Sequence, residues 1–344
     1  MNKASIEPLL QSLAEERGFE LRAYKRSTLE RRINRRMTQV SATNYPDYLE
    51  YIRKNPAEIT ALLNTVLINI TEFFRDPQAW EYMRTKVLPQ LLQDCKPGDT
   101  FRAWCAGCAS GEEVYSLGIL LAEHFGSSLG EYDIRVYATD IDEEALNIAR
   151  RAEYPSDKLK RVRPEWRQKY FQPVHNYYRV ARDIRRMVIF GRSNLISDAP
   201  ISHVNLIICR NVLIYFSAEA QRHILSRLHY ALERDGVVFF GKAESQLTNS
   251  RLFVPVNSRW RIFRRADATD GRPARKAEGE EPMKRDEGNG RSDLDLLQLQ
   301  QQYVFDTMGS GVITLDPRDV ITSINEFAAT AWGVNTNAVL GKRL

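Results

Sequence analysis

Residues 101–113, FRAWCAGCASGEE, carry the most specific structural signal in the chain. Residues 101–106 have the length and apolar character of a short buried strand, and the strand pattern ends at Gly107. Small residues follow, and a helical pattern then runs from Glu112 to about Phe125. A glycine turn between a strand and a helix lets the backbone approach a ligand, and the helix start offers free N–H groups. The same glycines also suit an ordinary turn, so both a ligand site and a plain turn stay open here.

Outward from this segment, short apolar strands alternate with helical segments. Strands are predicted at 134–139, 205–209, 236–240 and 260–263, and helices at 143–151 and 218–232. This alternation is typical of βαβ units, so the sequence predicts an α/β domain with a mostly parallel sheet. Ligands of such sheets bind at the carboxyl ends of the strands.

Polar residues stand at those strand ends. Asp140 follows the second strand and can accept hydrogen bonds from a ribose diol. Glu112 or Glu113 at the helix start can meet a cationic amino group, and together these features predict an adenosine-type cofactor with an amino acid end. The G-x-G-x-x-G fingerprint of NAD-binding domains is absent, which disfavours a dinucleotide. Arg210 and Asn211 follow the next apolar strand, where a ligand contact and an ordinary strand-to-helix turn are equally compatible with the pattern.

Composition and periodicity divide the chain into four parts. Residues 1–88 have helical periodicity and are expected to form an all-helical domain. Residues 89–265 form the predicted α/β domain, with a small antiparallel β-subdomain inserted at about 152–190. Residues 266–292 are polar and charged, and are expected to be a flexible linker. Residues 293–344 begin with a Gln-rich helical pattern and continue into two short strand patterns.

Length and composition exclude several classes of protein. The chain has 344 residues, of which 43% are hydrophobic and 27% charged, and its net charge is +5. This is the composition of a soluble globular protein, not of a disordered, collagen-like or disulfide-stapled one. No apolar run approaches the roughly 20 residues of a membrane span, and the N-terminus lacks the apolar stretch of a signal peptide. A cytoplasmic protein without direct membrane insertion is therefore expected.

The four cysteines suit a reducing compartment better than a disulfide framework. Cys105 and Cys108 have the spacing of one zinc-binding pair, but the sequence lacks the second pair that a structural zinc site needs. We therefore expect no metal.

A helical run near the N-terminus is strongly basic. Ser27 and Glu30 have the spacing of a capping box at its start. Its apolar face is flanked by four arginines, Arg31, Arg32, Arg35 and Arg36. Such a face is either simply solvated or steers an acidic partner. Because aromatic residues are not interleaved with the basic ones, a nucleic-acid partner is not expected.

Five motifs in order give the chain a family resemblance that spacing alone does not supply. They are NITEFFR (69–75), WCAGCASGEEVYS (104–116), ATDID (138–142), GRSNL (191–195) and CRNVLIYF (209–216). Together they resemble the CheR family of chemotaxis receptor glutamate methyltransferases, from near the start of the chain to about residue 264. The resemblance implies an all-helical domain and a Rossmann-like domain that binds S-adenosylmethionine (SAM) and leaves S-adenosylhomocysteine. It also implies methyl transfer to glutamates in the helical cytoplasmic region of a methyl-accepting receptor.

The resemblance further implies roles for individual residues. Matched by motif, the cofactor residues would be Asn69, Thr71, Arg75, Glu113, Asp140, Asn194, Leu195, Arg210 and Asn211. Glu113 would hold the amino end of the methionine part and Asp140 the ribose. Asn194 and Leu195 would lie near the adenine. Arg75 and Tyr215 match the positions proposed to act in catalysis, and the basic helix with its four arginines would bind the receptor.

The implied chemistry is physically reasonable. Methyl transfer from a sulfonium is an in-line displacement, and a glutamate carboxylate is already ionised at pH 7, so no general base is needed. Catalysis can then rest mainly on proximity and alignment, with Arg75 orienting the carboxylate and Tyr215 sharing that role. Two alternatives stay open: a methyltransferase of the same fold acting on another substrate such as RNA, and an inactive methyltransferase-like sensory scaffold.

Two more expectations rest on family resemblance. The turn at 172–179 is short and contains no glycine, whereas members that dock a receptor's C-terminal pentapeptide have a longer, glycine-containing loop. The chain is therefore expected to act without that tether. Residues 303–344 resemble the opening strands and helices of a PAS sensor domain.

Overall fold

The computed structural model describes residues 5–17, 21–67, 71–244, 252–266, 313–315, 321–324, 326–332 and 342. Its helices are α1 (Glu7–Arg17), α2 (Arg26–Gln39), α3 (Tyr45–Lys54), α4 (Ala57–Val66), α5 (Pro77–Tyr82), α6 (Leu88–Leu91), α7 (Glu112–Phe125), α8 (Glu143–Arg151), α9 (Pro164–Tyr170), α10 (Arg182–Arg186), α11 (Ala218–Ala231) and α12 (Glu326–Trp332). Its strands are β1 (Thr100–Ala106), β2 (Asp133–Asp140), β3 (Glu153–Pro155), β4 (Phe171–Val174), β5 (Tyr177–Val180), β6 (Val188–Arg192), β7 (Val204–Cys209), β8 (Leu232–Phe240), β9 (Phe253–Asn257), β10 (Ile262–Arg265), β11 (Ile313–Leu315) and β12 (Ile321–Ile324).

Helices α1 to α4 pack around one apolar cluster. The face of α2 that carries Leu29, Ile33 and Met37 is buried, as the helical periodicity predicts. The capping box predicted from Ser27 and Glu30 is wrong, because α2 begins one residue before Ser27 and has no side-chain cap. The Glu30 carboxylate instead accepts a hydrogen bond from Nε of the arginine four residues before it, at 2.8 Å.

The main sheet has seven strands in the order β6-β2-β1-β7-β8-β10-β9. The pairings from β6 through β8 are parallel, and β10 and β9 add an antiparallel edge. The prediction of a mostly parallel α/β sheet is confirmed. Side chains of β1 alternate between two cores: Ala103 and Cys105 face the cluster that includes α7, while Trp104 and Ala106 face the cluster that includes α11. Because β1, β2 and β7 are adjacent and parallel, the residues that follow them meet at one edge of the sheet.

The predicted antiparallel insertion is smaller than the sequence indicated. The small sheet has the order β3-β5-β4, and both of its pairings are antiparallel. The segment at 187–190, which was expected in this insertion, lies instead in β6 and pairs in parallel with β2, from Val136 opposite Val188 to Asp140 opposite Arg192. A short apolar strand pairs equally well with either kind of neighbour, so its own sequence does not select the sheet.

In the last 80 residues the structure describes only a few short pieces. Strands β11 and β12 pair antiparallel, and α12 follows them. The predicted linker at 266–292, apart from its first residue, and most of the PAS-like segment lie outside the described residues. Among the described helices, none combines the length and the apolar character that crossing a bilayer requires.

Candidate active site

A cleft of about 790 Å³ lies at the carboxyl edge of the main sheet, where it meets the helical domain. Part of this volume is open to solvent. The wall from the helical domain includes Tyr24, Val66 and Leu67, and the opposite wall follows strands β1, β2 and β7. The cleft is therefore formed jointly by the two parts of the chain.

The turn after β1 brings backbone, not side chains, to the cleft. Gly107 has a φ of +77°, and a Cβ added there would lie 2.4 Å from a methyl carbon of Val212. Only glycine therefore fits this turn without a shift. Beyond it, the backbone N–H of Ala109 donates to Asp140 Oδ2 at 2.7 Å, and Oδ1 accepts from the backbone N–H of Asp142 at 2.9 Å. Burial raises the pKa of Asp140, although these backbone donors oppose the shift.

A chain of alternating charges runs behind the cleft. The Arg210 side chain is only 1% exposed, and its guanidinium pairs with Glu113 through Nη1 and with Asp76 Oδ2 through Nη2, the latter at 2.6 Å. Lys242 Nζ reaches the other oxygen of Asp76 at 2.8 Å. Burial raises the pKa of Glu113, while Arg210 acts in the opposite direction. At Asp76, burial is outweighed by Lys242 and Arg210, and the pKa of that carboxyl is lowered.

Helix α7 holds the segment that carries Thr71 and Arg75. Ser116 Oγ accepts a hydrogen bond from the backbone N–H of Phe74 at 3.0 Å and donates to the Glu112 carbonyl at 2.7 Å. Arg75 lies next in the chain and lines the cleft, and its carbonyl accepts a bond of 3.1 Å from Arg210.

The small sheet supports the same segment from the side. Lys158 Nζ lies 3.0 Å from Glu112 Oε1 and 3.3 Å from the Thr71 carbonyl oxygen. The ring of Phe73 packs edge-on against Tyr154 and Phe171, with centroid separations of 5.0 and 5.3 Å. Residues of the inserted subdomain therefore help to position the cleft wall.

The turn after β7 presents Asn211 and Tyr215 to the cleft. Asn211 has a φ of +59°, a left-handed conformation that asparagine tolerates better than most residues. Tyr215 ends a 3-10 turn, Leu213–Tyr215, and its carbonyl accepts a 2.8 Å bond from the backbone N–H of Lys25 in the helical domain. Burial raises the pKa of Tyr215, while Arg32 and Arg75 oppose the shift; the hydroxyl is therefore a neutral donor near pH 7.

Most of the ten residues predicted to bind the cofactor or to act in catalysis lie together. Nine of them line this one cleft: Thr71, Arg75, Glu113, Asp140, Asn194, Leu195, Arg210, Asn211 and Tyr215. The tenth, Asn69, lies outside the described residues. Sequence reasoning missed Tyr24, whose ring packs 4.7 Å from that of Phe216, and no local pattern could have found it because packing between the two domains places it there.

The buried polar groups of the cleft fit SAM. Thr71 Oγ1 and Asn211 Oδ1 are buried and have no hydrogen-bond partner within the described part of the structure. Buried polar atoms in folded proteins nearly always have a partner, so both atoms call for a polar ligand. SAM carries an ammonium group and ribose hydroxyls that can serve as donors, and Glu113 and Asp140 supply carboxylates for the same groups.

The four arginines predicted to bind a receptor do not share one environment. Arg31 and Arg35 are exposed. Arg32 is buried, donates to the Val66 carbonyl at 2.5 Å, and lies with its guanidinium 5.6 Å from the centre of the Tyr215 ring. The Arg36 guanidinium binds both oxygens of a buried glutamate on α4, at 2.6 and 2.7 Å. The four arginines therefore do not form one exposed face, since Arg31 and Arg35 are exposed, Arg36 is half-buried in an ion pair and Arg32 is buried. Their role in receptor binding stays a prediction.

The cysteines are buried or half-buried thiols. Burial raises the pKa of Cys105 and Cys108, so both are neutral near pH 7. Across the described ranges, no group of three or more His, Cys, Asp or Glu side chains is arranged to hold a metal ion.

Comparisons with known proteins agree with this architecture. The CheR methyltransferase all-alpha domain matches residues 4–67, and the CheR methyltransferase SAM-binding domain matches residues 69–262. A chemotaxis protein methyltransferase of Listeria innocua is 31% identical over 230 residues, which cover 67% of this chain and 86% of that protein. One from Escherichia coli K12 is 30% identical over 255 residues, covering 71% of this chain and 85% of that protein.

A third relative is much longer than this chain. An uncharacterized 104.1 kDa protein of Rhodobacter capsulatus is 33% identical over 240 residues, which are 70% of this chain and a quarter (25%) of that protein. The two family matches together span the helical domain and the main sheet, including the cleft between them. The chain belongs to the CheR methyltransferase family.

Proposed function

We propose that this chain transfers the methyl group of SAM to glutamate side chains of methyl-accepting chemotaxis receptors, giving glutamate methyl esters and S-adenosylhomocysteine. The observation that carries the proposal is the convergence of Glu113, Asp140, Asn211, Arg75 and Tyr215 on one cleft in a chain of the CheR family. Two carboxylates and an amide suit the donor, and an arginine with a tyrosine suits an acidic acceptor.

The donor half of the cleft is assigned by chemistry. Glu113, kept close to Arg210, offers a carboxylate to the amino group of the methionine part. Asp140 ends β2 and would accept hydrogen bonds from the ribose hydroxyls, and Asn194 and Leu195, which line the same cleft, would lie beside the adenine. Thr71 Oγ1 and Asn211 Oδ1, which have no hydrogen-bond partner among the described residues, would accept hydrogen bonds from the same ligand.

The acceptor half needs only to hold and orient a carboxylate. When bound, SAM supplies an electrophilic methyl group on a positively charged sulfur. A glutamate carboxylate is ionised at pH 7, so no side chain of the cleft has to remove a proton. Arg75 and the neutral Tyr215 hydroxyl hold the incoming carboxylate, and alignment of this kind is worth several kcal/mol.

The receptor is expected to bind along the exposed part of α2. Arg31 and Arg35 are solvent-exposed on this helix, and its buried side reaches the cleft through Arg32 and Tyr215. Exposed cations steer an acidic receptor helix toward the cleft. In the small sheet, β4 and β5 are joined by a two-residue turn, His175 and Asn176, which supports methylation without a pentapeptide tether. A fused C-terminal pentapeptide that greatly tightens receptor binding would refute this part.

Three coarser features belong to the same proposal. The helical domain is assigned to 1–88 and the methyltransferase domain to 89–265, with the inserted subdomain ending near Arg186 because β6 belongs to the main sheet. Residues 303–344 are proposed to open a PAS domain after the linker at 266–292. The protein is proposed to act in the cytoplasm, where the receptor helices lie.

The test is transfer of labelled methyl from SAM to receptor membranes, with release of the label as methanol by mild base. Arg75→Ala is expected to fold and to lose most of the turnover, and an unchanged rate would remove Arg75 from the mechanism. Steeply salt-dependent RNA binding with no receptor labelling would favour the RNA alternative. Failure to bind S-adenosylhomocysteine in calorimetry would favour the inactive scaffold.

A further inference from the structure

One buried carboxylate near the cleft takes no part in the mechanism above. Glu244 lies just after β8, is only 5% exposed, and does not line the cleft. Its Oε1 accepts hydrogen bonds from the backbone N–H groups of Val212 at 2.9 Å and Leu213 at 3.2 Å. Its Oε2 accepts from the backbone N–H of Gly241. A single carboxylate thus ties together the turns that follow two adjacent parallel strands.

Those two turns meet closely because Gly241 has no side chain. A Cβ added at Gly241 would lie 2.8 Å from the backbone nitrogen of Asn211 and 2.7 Å from Glu244 Oε2. Distances below 3.0 Å force a shift, so this approach requires glycine. The turn held in this way begins with the left-handed Asn211 and ends with Tyr215.

We propose that Glu244 is a positioning residue of the methyl transfer, whose carboxylate holds the 211–215 turn so that Asn211 and Tyr215 reach the cleft. The inference rests on the proposed function, since it assigns Glu244 to that reaction. Without Glu244, the backbone N–H groups of Val212 and Leu213 lose the carboxylate oxygen that accepts a hydrogen bond from both. A misplacement of about 1 Å at a reacting group costs on the order of 100-fold in rate.

The charge state of Glu244 makes the inference testable. Burial raises its pKa to about 7, although the three backbone donors and Arg210 oppose the shift. When the carboxylate gains a proton, it loses the negative charge that strengthens its bonds from the three backbone N–H groups, so its hold on the turn weakens. Methyl transfer is therefore expected to fall as the pH drops through about 7.

Several titratable and charged groups lie around Glu244. The Cys209 thiol on β7 has a pKa raised by burial and by Glu244, and Tyr215 on the held turn also has a raised pKa, so both stay neutral. Arg210 at the end of β7 pairs with Glu113 and Asp76, and Lys242 on the turn of Glu244 pairs with Asp76. Glu113 and Asp140, which line the cleft, also have raised pKa values. A variant of Glu244 itself must therefore decide which group causes the loss of activity at low pH, here called the acid limb of the pH profile.

The experiment measures kcat for labelled methyl transfer to receptor membranes between pH 5.5 and 8.5, for the wild type and Glu244→Gln. Glutamine has nearly the same shape but keeps only one oxygen and cannot ionise. We expect kcat at pH 8 to fall at least tenfold, the Michaelis constant for the receptor to change little, and the acid limb near pH 7 to disappear. Glu233→Gln is the matched control, because Glu233 is a half-exposed carboxylate on the other end of β8, paired with His203 at 2.7 Å.

The outcomes separate the inference from its alternatives. Full activity in Glu244→Gln, or reduced activity with the acid limb intact, overturns the proposal. If this variant fails to fold, Glu244→Asp decides, since it keeps the charge but not the reach. Reduced kcat with a shifted acid limb supports the proposal, and an unchanged profile overturns it. If the wild type transfers no methyl group to any receptor while still binding S-adenosylhomocysteine, the proposed function fails instead.

Discussion

Replacing Arg210 by methionine tests whether the charge chain behind the cleft stabilises the fold. The substitution keeps an unbranched side chain in a site that is 1% exposed but leaves Glu113, which is 11% exposed, without its cation. Asp76 keeps Lys242 at 2.8 Å, so the loss falls mainly on Glu113. Removing one partner of a buried ion pair costs about 3–5 kcal/mol, and the retained Lys242 places the expected loss near the lower end, about 3 kcal/mol.

The pH dependence of that loss has a definite sign. Burial already raises the pKa of Glu113, and without Arg210 the pKa rises further. A carboxyl whose pKa is higher in the folded state than in the unfolded one stabilises the fold fully below its unfolded pKa. This contribution is lost as the pH rises through the folded pKa. The deficit of Arg210→Met is therefore expected to be larger at pH 8 than at pH 5.

Urea unfolding followed by tryptophan fluorescence at both pH values measures this deficit. Lys54→Met is the control, because Lys54 and Glu50 form a pair that is 70% and 65% exposed and such pairs contribute about 0–1 kcal/mol. A total stability of about 5–15 kcal/mol leaves room to measure the loss. A deficit below about 1 kcal/mol, or one that shrinks from pH 5 to pH 8, would refute the reasoning.

Three further changes test other parts of the site. Gly107→Ala places a Cβ 2.4 Å from Val212 at a φ of +77°, which forces the turn beside the cleft to shift. Calorimetry should therefore show at least tenfold weaker affinity for S-adenosylhomocysteine. Equal affinity would contradict the argument that only glycine fits this turn. Lys158→Met removes the cation that lies 3.0 Å from the Glu112 carboxylate on α7, which is 1% exposed. Urea unfolding should show that the free energy of unfolding falls by about 1–3 kcal/mol. Unchanged stability would count against the inserted subdomain as a support of the cleft wall. The double change Arg31→Glu and Arg35→Glu should raise the Michaelis constant for receptor membranes about tenfold at low salt while kcat stays constant, and a change in kcat alone would place these arginines elsewhere in the mechanism.

The parallel sheet and most of the cleft are predictable from the sequence for one physical reason. Strand ends in a parallel sheet converge, so residues that follow β1, β2 and β7 must meet, whatever lies between them in the chain. That places Glu113, Asp140 and Asn211 together, and the structure confirms it. The individual roles within the cleft come from family resemblance and stay predictions.

What the sequence does not reveal depends on packing between distant segments. Arg32 and Arg35 both belong to one basic run, yet one is buried against Tyr215 and the other is exposed, because the helical domain docks on the turn after β7. Glu244 follows a strand like many surface glutamates, and only the register of β7 against β8 places it under the 211–215 turn. Side-chain spacing along one element carries no information about such contacts.

The helical domain lines the cleft as well as carrying the candidate receptor-binding surface. Its segment before α2 bonds to the strand-like stretch after Tyr215, with Lys25 N–H donating to the Tyr215 carbonyl and Ser217 N–H to the Ala23 carbonyl, both at 2.8 Å. Tyr24, between these two bonds, lines the cleft, and Arg32 lies over the Tyr215 ring. Under the proposed function, the helix that would bind the receptor therefore contacts the tyrosine that would orient the acceptor carboxylate. The methyltransferase domain alone would therefore lack the part of the cleft wall that Tyr24, Val66 and Leu67 supply.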